Sequence, residues 1–534
     1  MNPNRPCFLC VMGGLLSLAM LGCSTTPRLP KANAPVPDNW SKNVGVDNGR
    51  GVTFAEKPQA EAWWRQFHDP VLDALVERAL AGCVDLKAAE ARVREARAQR
   101  TVTISDFFPH TSLGGTEQRT RSSRAEMAAM GPVGLLQPSH RSLYQAGFDT
   151  SWEIDIFGGT RASARGADAR IAAELSGYEG VRISVAAETA RNYFELRGAQ
   201  AMRDVLEEMV RSQQETVKLL QRRRAAGAIA DLEVTMSQGT VETTSAQIPV
   251  AETNIQRMTT SLAVLLAENP DSVRERLGGQ DAVPAHSVPI VVGVPAEVLR
   301  ARPDVRRAEH GIEAAAAAVG VSTAELFPRV NLLGSGGVQG LEFSDLGNMV
   351  NRYWSIGPAV HWPILDIGRV LGNIRVQRAR HEQALHAYEK TVLSALKDVE
   401  DAVVAYREAQ TRQERLAKAV QQYGASLEMA RSMYRAGTKD YLYVLESQRA
   451  LLGAREAQVG GDTGVATAAV GLCKALGGCW PDPSAVAGEG QDGHNDHGEK
   501  VETETETETE KDKAKVSDAQ PAKAGAALTT NEGK

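Results

Sequence analysis

Aromatic side chains are scarce in this chain. Trp, Tyr and Phe make up 5% of 534 residues. With so few rings a broad globular core has little to fill it, and the abundant Ala, Glu, Arg, Leu and Gln suit long helices. Charge of one sign is lacking as well. A formal net charge of −6 on 24% charged residues provides no basic field to recruit nucleic acid. Catalytic spacing is missing too. The ten His include no H-E-x-x-H, and neither G-x-S-x-G nor a Walker-type phosphate loop occurs. No enzymatic constellation is therefore predicted. Gly334, Gly336, Gly337 and Gly340 look phosphate-like but fall inside a strand pattern, where bends are the plainer reading. His494 and His497 lie in a polar tail and predict no specific metal site.

What is present is alternation. Residues 144–156 read YQAGFDTSWEIDI. Tyr144, Ala146, Phe148, Thr150, Trp152, Ile154 and Ile156 fall on one side, with Asp149, Glu153 and Asp155 on the other. Period two over such a length predicts a strand with one apolar and one polar face. Residues 353–366 repeat the pattern, with Trp354, Ile356, Val360, Trp362 and Ile364 in the apolar set. Two further strands are expected at residues 110–118 and 329–339. Each of the two longer strands opens a helix of about 70 residues, about 105 Å long at 1.5 Å per residue.

The order is duplicated. Gly158 and Gly368, Gly227 and Gly437, Leu232 and Leu442, Val234 and Val444, Gln238 and Gln448, and Leu262 and Leu472 all sit 210 apart. The expected organisation is a leader at residues 1–22, an extended segment at 23–62, a first repeat at 63–277, a second at 278–480 and an acidic, disordered tail at 481–534. Helices are expected over 70–106, 158–226, 232–268, 296–326, 368–436 and 440–475. Asp69 and Pro70 suit a helix start. Pro249 should kink or interrupt its helix. In residues 368–436 a heptad places Leu385, Val392, Val399, Tyr406, Gln413, Val420, Leu427 and Tyr434 in one column. A second column runs Tyr388, Ala395, Ala402, Ala409, Leu416, Tyr423 and Ala430, which predicts a left-handed coiled coil. The shorter helices of each repeat, laid end to end, match the long one.

Four strands cannot close a barrel, for which about eight is the usual minimum. An open edge facing lipid is not viable. Several chains must share one barrel, and three would supply about twelve strands.

The leader has Arg5 before an apolar stretch too short to span a bilayer comfortably, followed by Met20-Leu21-Gly22-Cys23-Ser24. This resembles a bacterial lipobox, with Met20 where Leu is usual; a simple secretory signal is the alternative. The lipobox would place a diacylglycerol and an N-acyl chain on Cys23, the only covalent groups expected, with no cofactor and no metal. Cys7 and Cys10 depart with the leader. Cys473 and Cys479 are compatible with a disulfide or with two free thiols.

Together the lipobox, WWRQFHDP at residues 63–70, WEIDIFG at 152–158, VPAEVLRARPDVRRAE at 294–309 and the duplicated Gly turns resemble the TolC-like outer-membrane factors, and among them the lipidated, RND-type multidrug-efflux branch. The resemblance spans residues 63–480. It implies a mainly α homotrimer in the outer membrane, its 12-stranded barrel continuing into a periplasmic α-helical coiled-coil tunnel. It implies a periplasmic membrane-fusion adaptor and an inner-membrane RND-type transporter as partners, outer-membrane lipid around the barrel and no nucleic acid. The activity implied is passive conduction of small molecules. A type I protein-secretion channel shares the fold, and a non-conducting lipid-anchored coiled-coil scaffold is a reading of a different class.

The resemblance further implies a periplasmic gate at the hairpin turns, with Gly227, Ala228, Asp231, Gly437, Thr438 and Asp440 as adaptor-contacting tips. Glu233, Tyr434, Lys439 and Glu446 fall at gate positions, Glu233 against Lys439 and Glu446 as a ring of three carboxylates. Tyr443 stands where some members carry an aspartate. Ordinary solvated helix-end charges are the alternative, and Arg222 to Arg224 are compatible with an adaptor collar or an exposed basic face.

Overall fold

A computed structural model describes residues 36–37, 39–40, 52–54, 62–123, 125, 129, 140–278, 290–292 and 294–479, with backbone alone at 52–54, 290–292 and 479. The leader, Cys23, the acidic tail with His494 and His497, and the side chain of Cys479 lie outside the described residues.

The chain runs β1 (Val52–Phe54), a 3-10 turn (Trp63–Phe67), α1 (Pro70–Gly82), α2 (Val84–Ser105), β2 (His110–Arg121), β3 (His140–Ile154), α3 (Gly159–Ala225), α4 (Asp231–Ser245), α5 (Ile248–Leu266) and α6 (Pro270–Leu277). It then repeats that order with β4 (Ile290–Val292), α7 (Pro295–Ala301), α8 (Pro303–Ala324), β5 (Arg329–Gly340), β6 (Arg352–His361), α9 (Ile367–Arg435) and α10 (Tyr441–Ala475). Each long helix has shorter partners along its length: α8 and α10 lie against α9, while α2, α4 and α5 lie against α3. This is the expected end-to-end arrangement.

The sheet is antiparallel with order β2-β3-β5-β6, so β2 and β6 are its edges. Its register confirms the alternation. Leu113, Phe148, Gly336 and Trp354 form one cross-strand row, and Thr111, Thr150, Gly334 and Ile356 the next. The row between them, Ser112, Asp149, Ser335 and Ser355, belongs to the other face. The apolar face is open: Leu113 is 87% exposed and Trp354 79%. Among the described residues no helix is long and apolar enough to cross a membrane.

Three features depart from, or add to, the sequence expectation, and a fourth agrees with it. The strand expected through Asp366 ends at His361, because Pro363 cannot donate to a ladder and Ile364–Asp366 turn as a 3-10 segment. The helix expected over 70–106 breaks at Cys83, which is extended at φ −54°, ψ 130°. The break lets α1 pack on both α3 and α5 while α2 follows α3. Pro249 interrupts its helix as expected, standing in the first turn of α5. Finally, β1 and β4 pair in parallel, tying the N-terminal segment to the linker between repeats.

The coiled-coil columns are largely interior. Val399 and Tyr406 are fully buried, whereas Tyr423 is 45% exposed. Gln413, the polar break in its column, donates from Nε2 to Asp462 Oδ1 of α10 at 3.0 Å. The largest core gathers Trp63, Trp64 and Phe67 with Tyr193, Phe194, Leu262 and Leu277. Beneath it Asp69 caps α1, accepting from Val71 N at 2.9 Å, and takes a 2.6 Å hydrogen bond from the Tyr193 hydroxyl.

Arg302, between α7 and α8, joins those two helices to α9 and α10. It forks onto Asp304 at 3.0 and 2.7 Å, reaches Asp398 of α9 at 3.2 Å and donates to the Ala475 carbonyl at the end of α10 at 2.8 Å. Burial opposes the Asp304 charge, but the two hydrogen bonds and the positive charge of Arg302 outweigh it and hold the carboxyl below its ordinary value. A carboxyl lowered on folding contributes stability above its unfolded value, which is lost as pH falls through the folded one. Both carboxylates are about half exposed, so screening reduces the effect. Arg302→Met should cost about 2 kcal/mol at neutral pH. Thermal melting in detergent checks this: the deficit should shrink below about pH 4, and a deficit independent of pH would contradict the pairing.

Candidate functional site

The two hairpin turns are built alike. Gly227 and Gly437 have φ +71° and +72°, the left-handed region that side chains resist. Each lets the chain close the same helix end. Ala228 N bonds Arg223 O at 2.9 Å, and Thr438 N bonds Met433 O at 3.0 Å. The turns then re-enter α4 at Asp231 and α10 at Tyr441. Gly227, Ala228, Asp231, Gly437, Thr438 and Asp440 are all exposed, and Asp231 pairs with Arg224.

Just above the turns the first hairpin (α3, α4) is joined to the second (α9, α10). Tyr434 of α9 donates its hydroxyl to Glu233 Oε2 of α4 at 3.1 Å. Tyr441 of α10 donates to Ser237 Oγ at 2.9 Å, and the two tyrosine rings meet edge to face at 5.7 Å. The Arg223 guanidinium covers the Tyr434 ring, 4.7 Å from its centroid. Arg431 reaches Ser212 Oγ at 2.6 Å, and Arg455 pairs with Glu208 at 2.8 Å. Burial, with the Glu233 carboxylate adding to it and Arg223 opposing, pushes the Tyr434 phenol up. Burial does the same for Tyr441. Both therefore remain hydrogen-bond donors at neutral pH.

Of the expected gate residues, Glu233 and Tyr434 come together. Lys439 does not meet Glu233 within the chain; its ammonium sits over the Tyr443 ring of its own hairpin, 4.7 Å from the centroid. Glu446 is exposed on α10. Arg223 divides from its neighbours, turning inward to Tyr434 while Arg222 and Arg224 are exposed. The Tyr441–Ser237 contact was not anticipated. Its signal was position, since Tyr441 stands 210 residues after Asp231 at the start of the matching helix. The cluster contains cations, carboxylates and phenols but no nucleophile beside a base. Among the described residues no group of three or more His, Cys, Asp and Glu could hold a metal. Such an arrangement fastens helices to each other.

A model of the outer membrane efflux protein family matches residues 75–268 and 294–478, well over half the chain and one match within each repeat. This chain belongs to the outer membrane efflux protein family. It is an outer-membrane efflux channel and not an enzyme. The outer-membrane channel OprN is similar in structure, with TM-score 0.77 and 31% identity over 85% of this chain and 99% of that one. OprJ of Pseudomonas aeruginosa is 28% identical over 478 residues, 88% of this chain and 95% of that protein. The CmeC channel of Campylobacter jejuni, at 23% identity and TM-score 0.79, shares the fold over 88% of this chain and 98% of that one.

Proposed function

We propose that three copies of this efflux channel close a 12-stranded outer-membrane barrel on a periplasmic helical tunnel, and that the Tyr434–Glu233 region is its periplasmic gate. The observation that carries the barrel is an apolar sheet face with two unpaired edges. Rows from Ile154 to Tyr144 cover ten residue steps. At about 3.4 Å per residue and a tilt of about 40°, they span about 26 Å, the height of a barrel's lipid-facing band. Aromatic groups mark both borders. Trp152 and Trp362 donate to the Phe107 and Leu326 carbonyls at the helix end. Tyr144 and Phe343 pack edge to face at the loop end. The opposite face, with Asp149, Glu153, Ser335 and Ser355, lines the lumen.

The turn ends carry exposed apolar side chains as well as charges. Leu232 is 67% exposed, Leu442 52% and Tyr443 51%. This surface suits a helical periplasmic adaptor, which hands cargo from an inner-membrane RND-type transporter into the tunnel. A type I secretion role uses the same conduit and differs in the pump it meets. Swinging the second hairpin off the first must break the Tyr434–Glu233 and Tyr441–Ser237 contacts. Loss of one hydrogen bond to a charge, about 1.5–3 kcal/mol, raises the open population about tenfold or more. In planar bilayers the full chain should therefore form pores, and Glu233→Ala or Tyr434→Phe should raise single-channel conductance, with Lys439→Ala reporting on contacts between copies. No conductance at all would support a scaffold instead; unchanged conductance in all three variants would sink the gate.

The Leu21-Gly22-Cys23-Ser24 sequence supports cleavage before Cys23 and acylation there, giving a mature lipoprotein. Mass spectrometry of the mature N-terminal peptide should find a diacylglycerol and an acyl chain on Cys23; an unmodified thiol would contradict it.

A further inference from the structure

The apolar band of the sheet ends differently at its two borders. At the border where the helices attach, the nearby cations are neutralised. Arg161 pairs with Asp155 at 3.1 Å and Arg369 with Asp366 at 3.2 Å. Arg329, on the polar face, lies between Glu153 and Glu325.

At the far border the cations stand on the apolar face itself. Arg352 pairs with Val338 in the row directly beyond Phe148 and Trp354. Arg119 and Arg121, opposite Ser142 and His140, continue the Leu113 side of β2. All three arginines are exposed, and among the described residues none is in an ion pair. Arg352 gives one hydrogen bond to the Met349 carbonyl. Of the carboxylates at this border of the face, Glu117 is taken by the Tyr144 hydroxyl at 3.0 Å, and Asp345, lying over Gly340, accepts from the Leu341 and Glu342 amides at 3.0 Å each. Three unpaired guanidinium groups directly beyond an apolar band offer an anion charge-assisted hydrogen bonds at the border where lipid meets water.

Within one chain Arg119 and Arg121 sit on one edge strand and Arg352 on the other. Closing the barrel places β6 of one copy beside β2 of the next, so only the seam between copies brings these two edges, and the arginines they carry, next to each other. We propose that each seam binds the phosphorylated headgroup of a lipid in the outer leaflet, with Arg352 of one copy and Arg119 and Arg121 of its neighbour on the phosphates. The acyl chains of that lipid would lie down the Phe148, Trp354 and Ile356 side. Arg rather than Lys fits this task, because its planar fork meets phosphate oxygens in pairs. Continuity with the apolar band favours a lipid over a soluble anion: the same surface offers the tails a place.

The inference rests on the barrel reading, and the test separates the two. The full-length trimer in detergent is titrated with bisphosphorylated lipid A and with the same lipid stripped of phosphate, and binding is read by native mass spectrometry. Conductance is recorded in parallel. The wild type should bind the phosphorylated lipid about tenfold or more tighter, and Arg119→Ala/Arg121→Ala/Arg352→Ala together should remove that preference. Pore formation by the variant should be unchanged. Equal affinity for the two lipids, which needs no variant, would overturn the proposal while leaving the barrel intact. So would retained preference in the triple variant, or displacement of the lipid by millimolar inorganic phosphate, which would mark a free-anion site. A wild type that forms neither trimer nor pore would overturn both.

Discussion

A strand edge that faces hydrocarbon has no water to satisfy its amides and carbonyls. The sheet of this channel has two such edges, β2 and β6, and an apolar face that belongs in lipid. Both conditions are met together only if the edges pair with other copies. In the proposed assembly, association of copies is thus a condition for the barrel rather than an addition to it. The shared barrel then dictates what lies beneath. Strands β3 and β6 each lead into a helix of 67 or 69 residues, so in the proposed barrel a closed ring of strands continues as a ring of helices.

Duplication explains how one chain supplies two similar sixths of the proposed wall without being symmetric. The helix ends at Gly227 and Gly437 are copies in conformation, yet the side chains beside them differ. Glu233 in the first hairpin corresponds in position to Tyr443 in the second, and only Glu233 takes a hydrogen bond from Tyr434. Tyr443 instead lies beneath Lys439. The two hairpins can therefore do different work: one anchored across to its partner, the other closed on itself. The same divergence occurs at the barrel junction. Gly158 is left-handed at the start of α3, whereas α9 begins at Ile367, before Gly368.

Much of this was legible in the sequence because water and lipid impose opposite demands on the two faces of a strand. Phe148 and Asp149 alternate for that reason, and the register places them on opposite faces as the pattern requires. The heptad of α9 was legible for a similar reason, since Val399 and Tyr406 exclude water over many turns. Legibility failed where packing or long-range pairing decided. Trp362 and Ile364 continue the alternation into a turn that Pro363 imposes. No local signal marks Cys83 as extended; the break serves packing on two helices at once. The β1–β4 pair joins segments more than 200 residues apart, a contact without a short-range trace. The Arg223 contact with Tyr434 depends on how two hairpins are laid together, which periodicity does not report.

The central claim is that the edges of one sheet are completed by its copies. Amide hydrogen exchange of the membrane-reconstituted channel tests it directly. The edge strands His110–Arg121 and Arg352–His361 should be as protected as the inner strands His140–Ile154 and Arg329–Gly340. Rapid exchange confined to the outward amides of the two edge strands would mean that no copy pairs with them, and the shared barrel would be wrong.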